Sequence, residues 1–324
     1  MPAPALHVDG LTKRYGNGPD ATTAVDDLSF TVERGEVFGL LGPNGAGKST
    51  TLDVLVGYQR PTDGHVDVLG LDPTTEPAAV RERTGVLPDG YGVYPERSGR
   101  AHVEYVATAR GVDLDPTTWL ERVDLGDAAS RPAGEYSKGM RQRLAFAMAL
   151  VGDPDLLVLD EPSTGLDPEG VATVRERIEA ASDRGTTVVL SSHRLAQVER
   201  VCDRLAVVHD GSLLAVDDLA SLRNAYGLDA DRVRAGVDTR PDGVRERVSA
   251  VDGVTAVSVD DDVVRVECTE RAKKPALDAI ETTGATVVDV DVDRPSLEEL
   301  FLRIADDDAT ATGHDVVART GESR

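Results

Sequence analysis

The chain contains few aromatic residues, lysines and cysteines. Aromatic side chains make up 4% of its 324 residues, and only five lysines occur. Its two cysteines, Cys202 and Cys268, lie far apart and lack the spacing of a metal site. Such cysteine usage is typical of proteins in the reducing cytosol, where we expect this chain to be located.

Long apolar segments are also missing. The longest apolar runs, such as VFGLLG and LLVL, have the length of strands. A membrane span requires roughly 18 apolar residues, so no direct membrane insertion is expected. The first ten residues, MPAPALHVDG, lack the apolar core of a signal peptide. These absences favour a soluble intracellular protein.

Acidic residues outnumber basic ones, with 58 Asp and Glu against 35 Lys and Arg, and the net charge is −23. This charge disfavours non-specific binding to nucleic acid or to anionic lipid. Two explanations are open: an acidic binding face, or a halophilic surface adapted to a salt-rich cytoplasm, where the Debye length falls to about 3 Å at 1 M. We favour the second, because the acids are spread along the whole chain.

The order of apolar segments predicts two domains, and 40% hydrophobic residues suffice for two cores. Residues 1–224 alternate short apolar strands with amphipathic segments, which is typical of an α/β domain. Over residues 225–304 the order is strand, helix, strand, strand, helix, strand, as in a small α+β ferredoxin-like domain. We expect a last helix, SLEELFLRIA, and a disordered acidic tail over residues 305–324.

The segment GPNGAGKST matches the complete pattern of a nucleotide-binding phosphate loop, and it lies between a predicted strand and a predicted helix. Backbone N–H groups of such a loop and the dipole of the following helix favour phosphate. We expect Lys48 to reach the terminal phosphates and Ser49 to offer its hydroxyl to Mg²⁺. A purely structural glycine-rich turn is the alternative, which the flanking strand and helix disfavour. The predicted cofactor-binding residues here are Gly42, Pro43, Asn44, Gly45, Ala46, Gly47, Lys48, Ser49 and Thr50.

Four further residues are candidates for the same site. In LLVLDEP, Asp160 follows a buried strand and is expected to hold Mg²⁺, while Glu161 can orient and deprotonate the attacking water. His193 follows the next strand, where its imidazole could contact the γ-phosphate. Tyr15 ends the first strand and is positioned to stack on a base. Each residue alone would be an ordinary surface residue, and the phosphate loop upstream favours the functional interpretation.

The segment EYSKGMRQRLAFAMAL predicts a second anion site. Ser137 can cap a helix whose apolar residues recur at helical spacing. Its hydroxyl, the turn formed by Lys138 and Gly139, and the positive end of the helix dipole together suit an anion. The residues themselves do not tell what this second site binds.

In their order along the chain, GPNGAGKST, YSKGMRQR, LLVLDEP, STGLDP and SSH resemble the motifs of ABC transporter nucleotide-binding subunits. The likeness covers about residues 6–222. It implies a P-loop NTPase cassette with a RecA-like core, an antiparallel β subdomain and a helical subdomain over about residues 89–152. The implied activity is ATP hydrolysis, and the implied cofactors are ATP and Mg²⁺.

The resemblance also implies what the second anion site binds. In the family, the sequence similar to YSKGM holds the γ-phosphate of the ATP on the other subunit of a head-to-tail dimer. Ser137, Lys138 and Gly139 would then contact the second subunit's ATP, and Asp167 of STGLDP would reach across as well. Tyr136 and Lys138 replace the commoner Leu and Gly, a variation that resembles two-component exporters with a separate permease chain.

The segment TGVLPDGYGVYPE departs from most relatives. Asp89 stands where they carry a glutamine that senses Mg²⁺, and a carboxylate can ligand this hard cation. Tyr91, Tyr94 and Tyr105 follow within a stretch that the resemblance implies to be the helical layer receiving a permease's coupling helix. These tyrosines are either core residues or a partly exposed aromatic groove for that partner.

The favoured function is a transport motor. ATP would close a homodimer, hydrolysis would reopen it, and a separate membrane permease would use the motion for export. The subunit would then sit on the inner face of the cell membrane through the permease and would bind no nucleic acid. The alternatives are a non-transport ABC ATPase and a ligand-gated regulator that uses the C-terminal domain. The single cassette without a coiled-coil insertion disfavours the first, and the fold alone cannot decide the second.

Overall fold

The computed structural model describes residues 3–18, 21–194, 198–226, 230–239, 242–293 and 303–304. The chain divides into two compact units, Met1–Leu219 and Ala220–Arg324. The predicted last helix, apart from Arg303 and Ile304, and the predicted tail over residues 305–324 lie outside the described residues.

Six strands form the central sheet of the first unit. They are β3 (Val37–Leu41), β5 (Thr84–Leu87), β6 (Leu156–Leu159), β7 (Thr187–Ser192), β8 (Arg204–His209) and β9 (Ser212–Asp218). The strand order is β5-β6-β7-β3-β8-β9, and every neighbouring pair is parallel except β8 with β9. Strands β3, β6 and β7 are buried along their whole length, because continuous, mostly apolar runs suit a parallel sheet covered on both faces.

The parallel strands bring the predicted catalytic segments to one edge of the sheet. The carboxyl ends of β3, β6 and β7 lie at the same edge, which is where open α/β sheets bind ligands. Leu41 directly precedes the phosphate loop, Leu159 precedes the two acids, and Ser192 precedes His193.

A second, antiparallel sheet covers the amino-terminal part of the unit. Its strands are β1 (Leu6–Tyr15), β2 (Thr22–Val32) and β4 (Asp63–Val68), in the order β2-β1-β4. Buried residues of this sheet, among them Leu6 and Leu28, share one hydrophobic core with Phe38 and Val189 of the central sheet. The antiparallel β-sheet expected from the sequence is therefore present.

Three helices follow β5 and precede β6 in the chain: α3 (Gly99–Arg110), α4 (Pro116–Glu121) and α5 (Lys138–Ala149). The hydroxyl of Ser137 accepts a hydrogen bond from the Met140 amide at 3.2 Å, which confirms the predicted cap of α5. The Trp119 indole donates to the Ala147 carbonyl at 3.0 Å and ties α4 to α5. Among the described residues the first unit also contains α1 (Lys48–Leu55), α2 (Pro77–Arg83) and α6 (Pro168–Ser182), and α7 (Leu219–Ala225) begins at its last residue. Within the described residues, no helix combines the length and the apolar character needed to cross a membrane.

Between residues 230 and 293, the described part of the second unit contains one antiparallel sheet and two α-helices. Its elements are β10 (Asp231–Val237), α8 (Val244–Ser249), β11 (Val254–Asp260), β12 (Val263–Cys268), α9 (Lys273–Glu281) and β13 (Val287–Asp293). The strand order is β11-β12-β10-β13, and all three pairs are antiparallel. Its core contains Val233, Ala235 and Ile280, together with Cys268, whose thiol is free.

Candidate active site

The phosphate loop begins at Gly42 and leads into α1. At two of its positions only glycine fits, because a Cβ atom at Gly42 would lie 2.1 Å from the Val208 carbonyl oxygen and one at Gly47 would lie 2.3 Å from the Ala24 carbonyl oxygen. Gly47 also has a φ of +95°, which side-chain-bearing residues rarely adopt. The loop therefore owes its shape to close contact with the strands around it.

Lys48 is buried at the start of α1. Its ammonium donates hydrogen bonds to the carbonyl oxygens of Gly42 at 2.8 Å and Pro43 at 3.0 Å. Burial lowers the pKa of Lys48 because it disfavours the charged form, while the carboxylates of Glu161 and Asp160 act in the opposite direction. The Lys48 ammonium therefore contacts carbonyl oxygens of its own phosphate loop and lies close to the carboxylates of Glu161 and Asp160.

Asp160 and Glu161 follow β6 and are fixed by a serine that sequence reasoning missed. The hydroxyl of Ser191 on β7 donates to the Asp160 carboxylate and accepts from the Glu161 backbone N–H at 2.9 Å. Ser191 is fully buried. Glu161 has a φ of +49°, a strained backbone conformation of the kind that often marks functional sites.

The Glu161 carboxylate connects the predicted catalytic residues. Its Oε1 lies 3.7 Å from Lys48 Nζ, and its Oε2 lies 2.8 Å from His193 Nδ1. The Thr164 hydroxyl donates to Oε2 at 3.2 Å. Oε1 is buried and accepts no hydrogen bond from the described residues. The structure therefore brings Lys48, Glu161 and His193 into one contiguous cluster.

Asp89 lies next to these acids. A cavity of about 460 Å³ is lined by Asp89, Tyr91, Lys138, Asp160 and Glu161, among others. Burial raises the pKa of Tyr91 to about 12. The cavity places the predicted metal-binding position Asp89 on the same side as Asp160.

The oxygen donors of this region fit a magnesium ion. Asp160 supplies a carboxylate near Lys48. Ser49, the residue after Lys48, is exposed and supplies a hydroxyl group. No three His, Cys, Asp or Glu side chains form a metal cage in the part of the chain that the structure describes. Mg²⁺ commonly takes only one or two carboxylates together with substrate phosphates and water, so such a cage is not required.

Asp53 on α1 is a second acid near Asp160. Burial, together with the negative charge of Asp160, raises the pKa of Asp53. Nothing in the sequence distinguished this aspartate from the many others in the chain. It adds to the negative charge that a cation in this region would neutralise.

Ser137, Lys138 and Gly139 form a separate surface at the start of α5. Together with Asp167 they line a cavity of about 510 Å³ to which no described residue of the phosphate loop contributes. Asp167 also caps α6 by accepting a hydrogen bond from the Gly170 amide at 2.8 Å. The residues of the second predicted anion site thus share one cavity, and Lys138 also lines the cavity that contains Asp160 and Glu161.

Tyr15 stands beside the phosphate loop. Its hydroxyl lies 3.5 Å from the Thr50 hydroxyl, and its ring is 40% exposed. The Lys13 ammonium lies 5.1 Å from the centre of the ring, within the range of a cation–π interaction. Tyr15 is therefore a partly exposed aromatic residue next to the phosphate loop.

The three tyrosines of the predicted partner surface do not stay together. Tyr94 and Tyr105 are 72% and 71% exposed and line a cavity of about 340 Å³ with His102 and Met148. Tyr91 instead lines the cavity beside the catalytic acids. Tyr94 and Tyr105 are therefore not core residues, whereas Tyr91 is half-buried in a different cavity.

The fold and the site together define a P-loop ATPase: a parallel sheet with a phosphate loop after β3, an acid pair after β6 and a histidine after β7. Residues 25–164 match the family model described as ABC transporter. A daunorubicin resistance ATP-binding protein of Streptomyces coeruleorubidus is 37% identical over 313 residues, covering 94% of this chain and 96% of that protein. The chain belongs to the ATP-binding subunits of ABC transporters.

Two further comparisons agree with this assignment. A fluoroquinolones export ATP-binding protein of Mycobacterium tuberculosis is 40% identical over 239 residues, covering 74% of this chain and 77% of that protein. A solved ATP-binding subunit of an ABC transporter is 30% identical, with a TM-score of 0.62, and covers 69% of this chain and 94% of that one. The similarity to the daunorubicin resistance protein extends through both units.

Proposed function

We propose that this chain is the ATP-hydrolysing motor of a two-component exporter, acting on a separate membrane permease. The observation that carries the proposal is the contact of Glu161 with both Lys48 and His193, at the carboxyl edge of the sheet. This arrangement combines a phosphate-binding lysine with a carboxylate base and a histidine that orients it. These are the parts that phosphoryl transfer to water requires.

The residues of the site divide the work. The phosphate loop and Lys48 bind the phosphates of ATP, and Tyr15 stacks on its base. Glu161 accepts the proton of the attacking water at Oε1, the oxygen that is buried and accepts no hydrogen bond from the described residues. His193 holds the opposite oxygen, and its Nδ1 must carry a proton to donate to it.

Magnesium would be held by Asp160 and Ser49, with Asp89 as a further oxygen ligand. When bound, the ion neutralises negative charge on the phosphates. Ser191 positions Asp160 for this role through its buried hydroxyl. Asp53 lies near enough to raise the local negative potential.

We further propose that two copies of the chain dimerise head to tail on ATP. The surface formed by Ser137, Lys138, Gly139 and Asp167 carries a helix start and an ammonium group suited to phosphate, yet it is separate from its own chain's loop. A twofold dimer would place it on the ATP of the second copy. Each composite site would then contain residues of both copies.

Export through a permease is supported by the relatives, two of which are named for drug resistance or drug export. The aromatic groove formed by Tyr94 and Tyr105 supplies a docking surface for a permease helix, because large exposed aromatic rings are favoured at interfaces. The permease would place the subunit at the inner face of the membrane.

The second unit is proposed to be a ferredoxin-like accessory domain. Its element order and its strand order, β11-β12-β10-β13, support that topology. We also propose that the net charge of −23 is an adaptation to a salt-rich cytoplasm. Neither proposal changes the roles of the residues that bind or hydrolyse ATP.

The proposal is tested by affinity purification of the full chain from detergent-solubilised membranes of its own cells. We expect a membrane protein with several spans to co-purify, and the Tyr94→Ala/Tyr105→Ala variant to lose it. Tyr58→Ala is the matched control, because Tyr58 is 55% exposed and lies outside the groove. If wild type and both variants capture equal amounts of the membrane protein, the groove is not part of the interface. If the wild-type chain does not hydrolyse ATP, the proposed motor function is wrong.

A further inference from the structure

A further cavity lies beside α6, and no described residue of the phosphate loop lines it. It has a volume of about 330 Å³, and its apolar wall includes Leu166, Val171, Ile178 and Leu190. We call it the α6 cavity. Pockets of roughly 300–1,000 Å³ with mainly apolar walls and a few polar groups are typical of small-molecule sites.

The polar groups of the α6 cavity are mostly arginines. Arg175, Arg194 and Arg200 all line it. The guanidinium groups of Arg194 and Arg200 form no ion pair with the residues that the structure describes, although acids outnumber bases 58 to 35 in the chain. The buried Nε of Arg175 lies 3.5 Å from Glu179 Oε1, an ion pair without hydrogen-bond geometry. Two of the three arginines at this cavity, the exposed Arg194 and Arg200, therefore carry positive charge without an ion pair to the described residues.

We propose that the α6 cavity binds a small amphipathic anion, with an apolar body inside and a carboxylate at the arginines. Guanidinium groups bind carboxylates through strong, charge-assisted hydrogen bonds. The apolar wall would remove the rest of the ligand from water. A neutral apolar ligand would leave the arginines unpaired, and a purely polar anion would leave the wall unused.

A ligand in this cavity would contact segments attached to the catalytic residues. Pro162 lines the cavity and follows Glu161, while Ser192 lines it and precedes His193. The phosphate loop does not contribute to its lining. We therefore expect the ligand to change the turnover number for ATP while leaving ATP affinity within about twofold of its value. This consequence rests on the proposed function, whereas the binding itself does not.

The test measures binding of decanoate to the full chain by titration calorimetry, below the micellar concentration and without nucleotide. Decanol, which has the same chain length without the charge, is the matched ligand. We expect saturable binding of one decanoate per chain and at least tenfold weaker binding of decanol. Equal affinities for the two compounds, or no saturable binding, would overturn the proposal whether or not the chain hydrolyses ATP.

Two variants locate the site. Ala172→Phe places a large side chain into the cavity wall from α6, and Arg194→Gln/Arg200→Gln removes two charges from it. Both should weaken decanoate binding at least tenfold and abolish its effect on turnover. Arg184→Gln is the control, because this exposed arginine follows α6 and does not line the cavity. If Ala172→Phe does not fold, the test relies on Arg194→Gln/Arg200→Gln. A decanoate affinity of this variant equal to that of Arg184→Gln would show that decanoate does not bind in the α6 cavity.

Discussion

Ser191 shows what sequence reasoning reaches at the scale of single residues and what it misses. The sequence motifs identify four residues of the site by residue type alone: Lys48, Asp160, Glu161 and His193. The structure places these four residues close together. Ser191 lies inside an apolar strand, and its role depends on the register of β7 beside β6. That register follows from the pairing of distant segments, so the serine could not be distinguished from its neighbour Ser192.

The role of Glu161 is tested by Glu161→Gln. We expect ATP binding to persist and turnover to fall by about 10²–10⁴, the typical contribution of a general base. An ATP-bound dimer should accumulate, which light scattering coupled to gel filtration would detect. Glu176→Gln, a change at an exposed position on α6, should behave as wild type. Near-normal hydrolysis by Glu161→Gln would assign the base to another residue.

Ser191→Ala tests the support of the two acids. The change leaves the Glu161 N–H without its acceptor and the Asp160 carboxylate without its donor. An unsatisfied buried group costs about 1–3 kcal/mol, so urea unfolding should shift by this amount. We also expect a lower turnover number with little change in ATP affinity. Wild-type stability and turnover would show that the serine is dispensable.

At the scale of elements, the fully buried strands could be predicted from the sequence, because they are continuous apolar runs. Strands β3, β6 and β7 are continuous apolar runs and were expected from the sequence. Strand β5 has only four residues and is recognisable by its pairing with β6, while β9 is half-buried and lacks clear alternation. Their status as strands comes from tertiary pairing, which local sequence does not record.

The unusual Tyr136 of the signature segment also acts at this scale. It is buried, and its hydroxyl donates to the Ala128 carbonyl at 2.7 Å. A Cβ atom at Gly99, the first residue of α3, would lie 2.3 Å from that hydroxyl oxygen. The tyrosine therefore packs the segment before α5 directly against the start of α3, and sequence reasoning saw only a departure from the commoner leucine.

Gly99→Ala should thus destabilise the first unit by about 1–3 kcal/mol, the usual cost of overpacking. Tyr136→Phe alone should cost about 1 kcal/mol, because the Ala128 carbonyl loses its donor. In the double variant the nearest ring atom to the new methyl group would be 3.2 Å away, so its cost should be less than the sum of the two. Additive costs in urea unfolding would show that the two positions do not touch.

At the scale of the whole molecule, the charge of −23 is the dominant feature. Self-repulsion of this size disfavours a compact chain at low salt. Screening shortens the Debye length from about 10 Å at 0.1 M to about 3 Å at 1 M salt. Composition makes this visible without any structure.

We therefore expect the melting temperature to rise continuously with KCl between about 0.1 M and 1 M, as screening increases. The variant in which Asp260, Asp261 and Asp262 are changed to Asn should need less salt to reach the same melting temperature. Thermal melts followed by circular dichroism would measure both effects. A melting temperature that does not respond to KCl would contradict salt adaptation and favour an acidic binding face.

The central claim is that each ATP site is shared between two chains, and it rests on the separation of the Ser137 surface from the phosphate loop of the same chain. Ser137→Arg would block the dimer-facing surface and leave the Lys48 loop complete. We expect this variant to bind ATP normally as a monomer and to hydrolyse almost none. Lys48→Ala should fail at its own loop while keeping an intact Ser137 surface.

Mixing the two variants tests the claim most directly. A mixed dimer contains one site with both defects and one site that is fully intact. If the two sites fire independently, an equimolar mixture should recover about a quarter of the wild-type rate of phosphate release, because half of the dimers are mixed. For independent sites, a mixture no more active than the two variants measured separately would contradict the shared site. Full activity of Ser137→Arg alone would likewise show that the start of α5 does not act on the second chain's ATP.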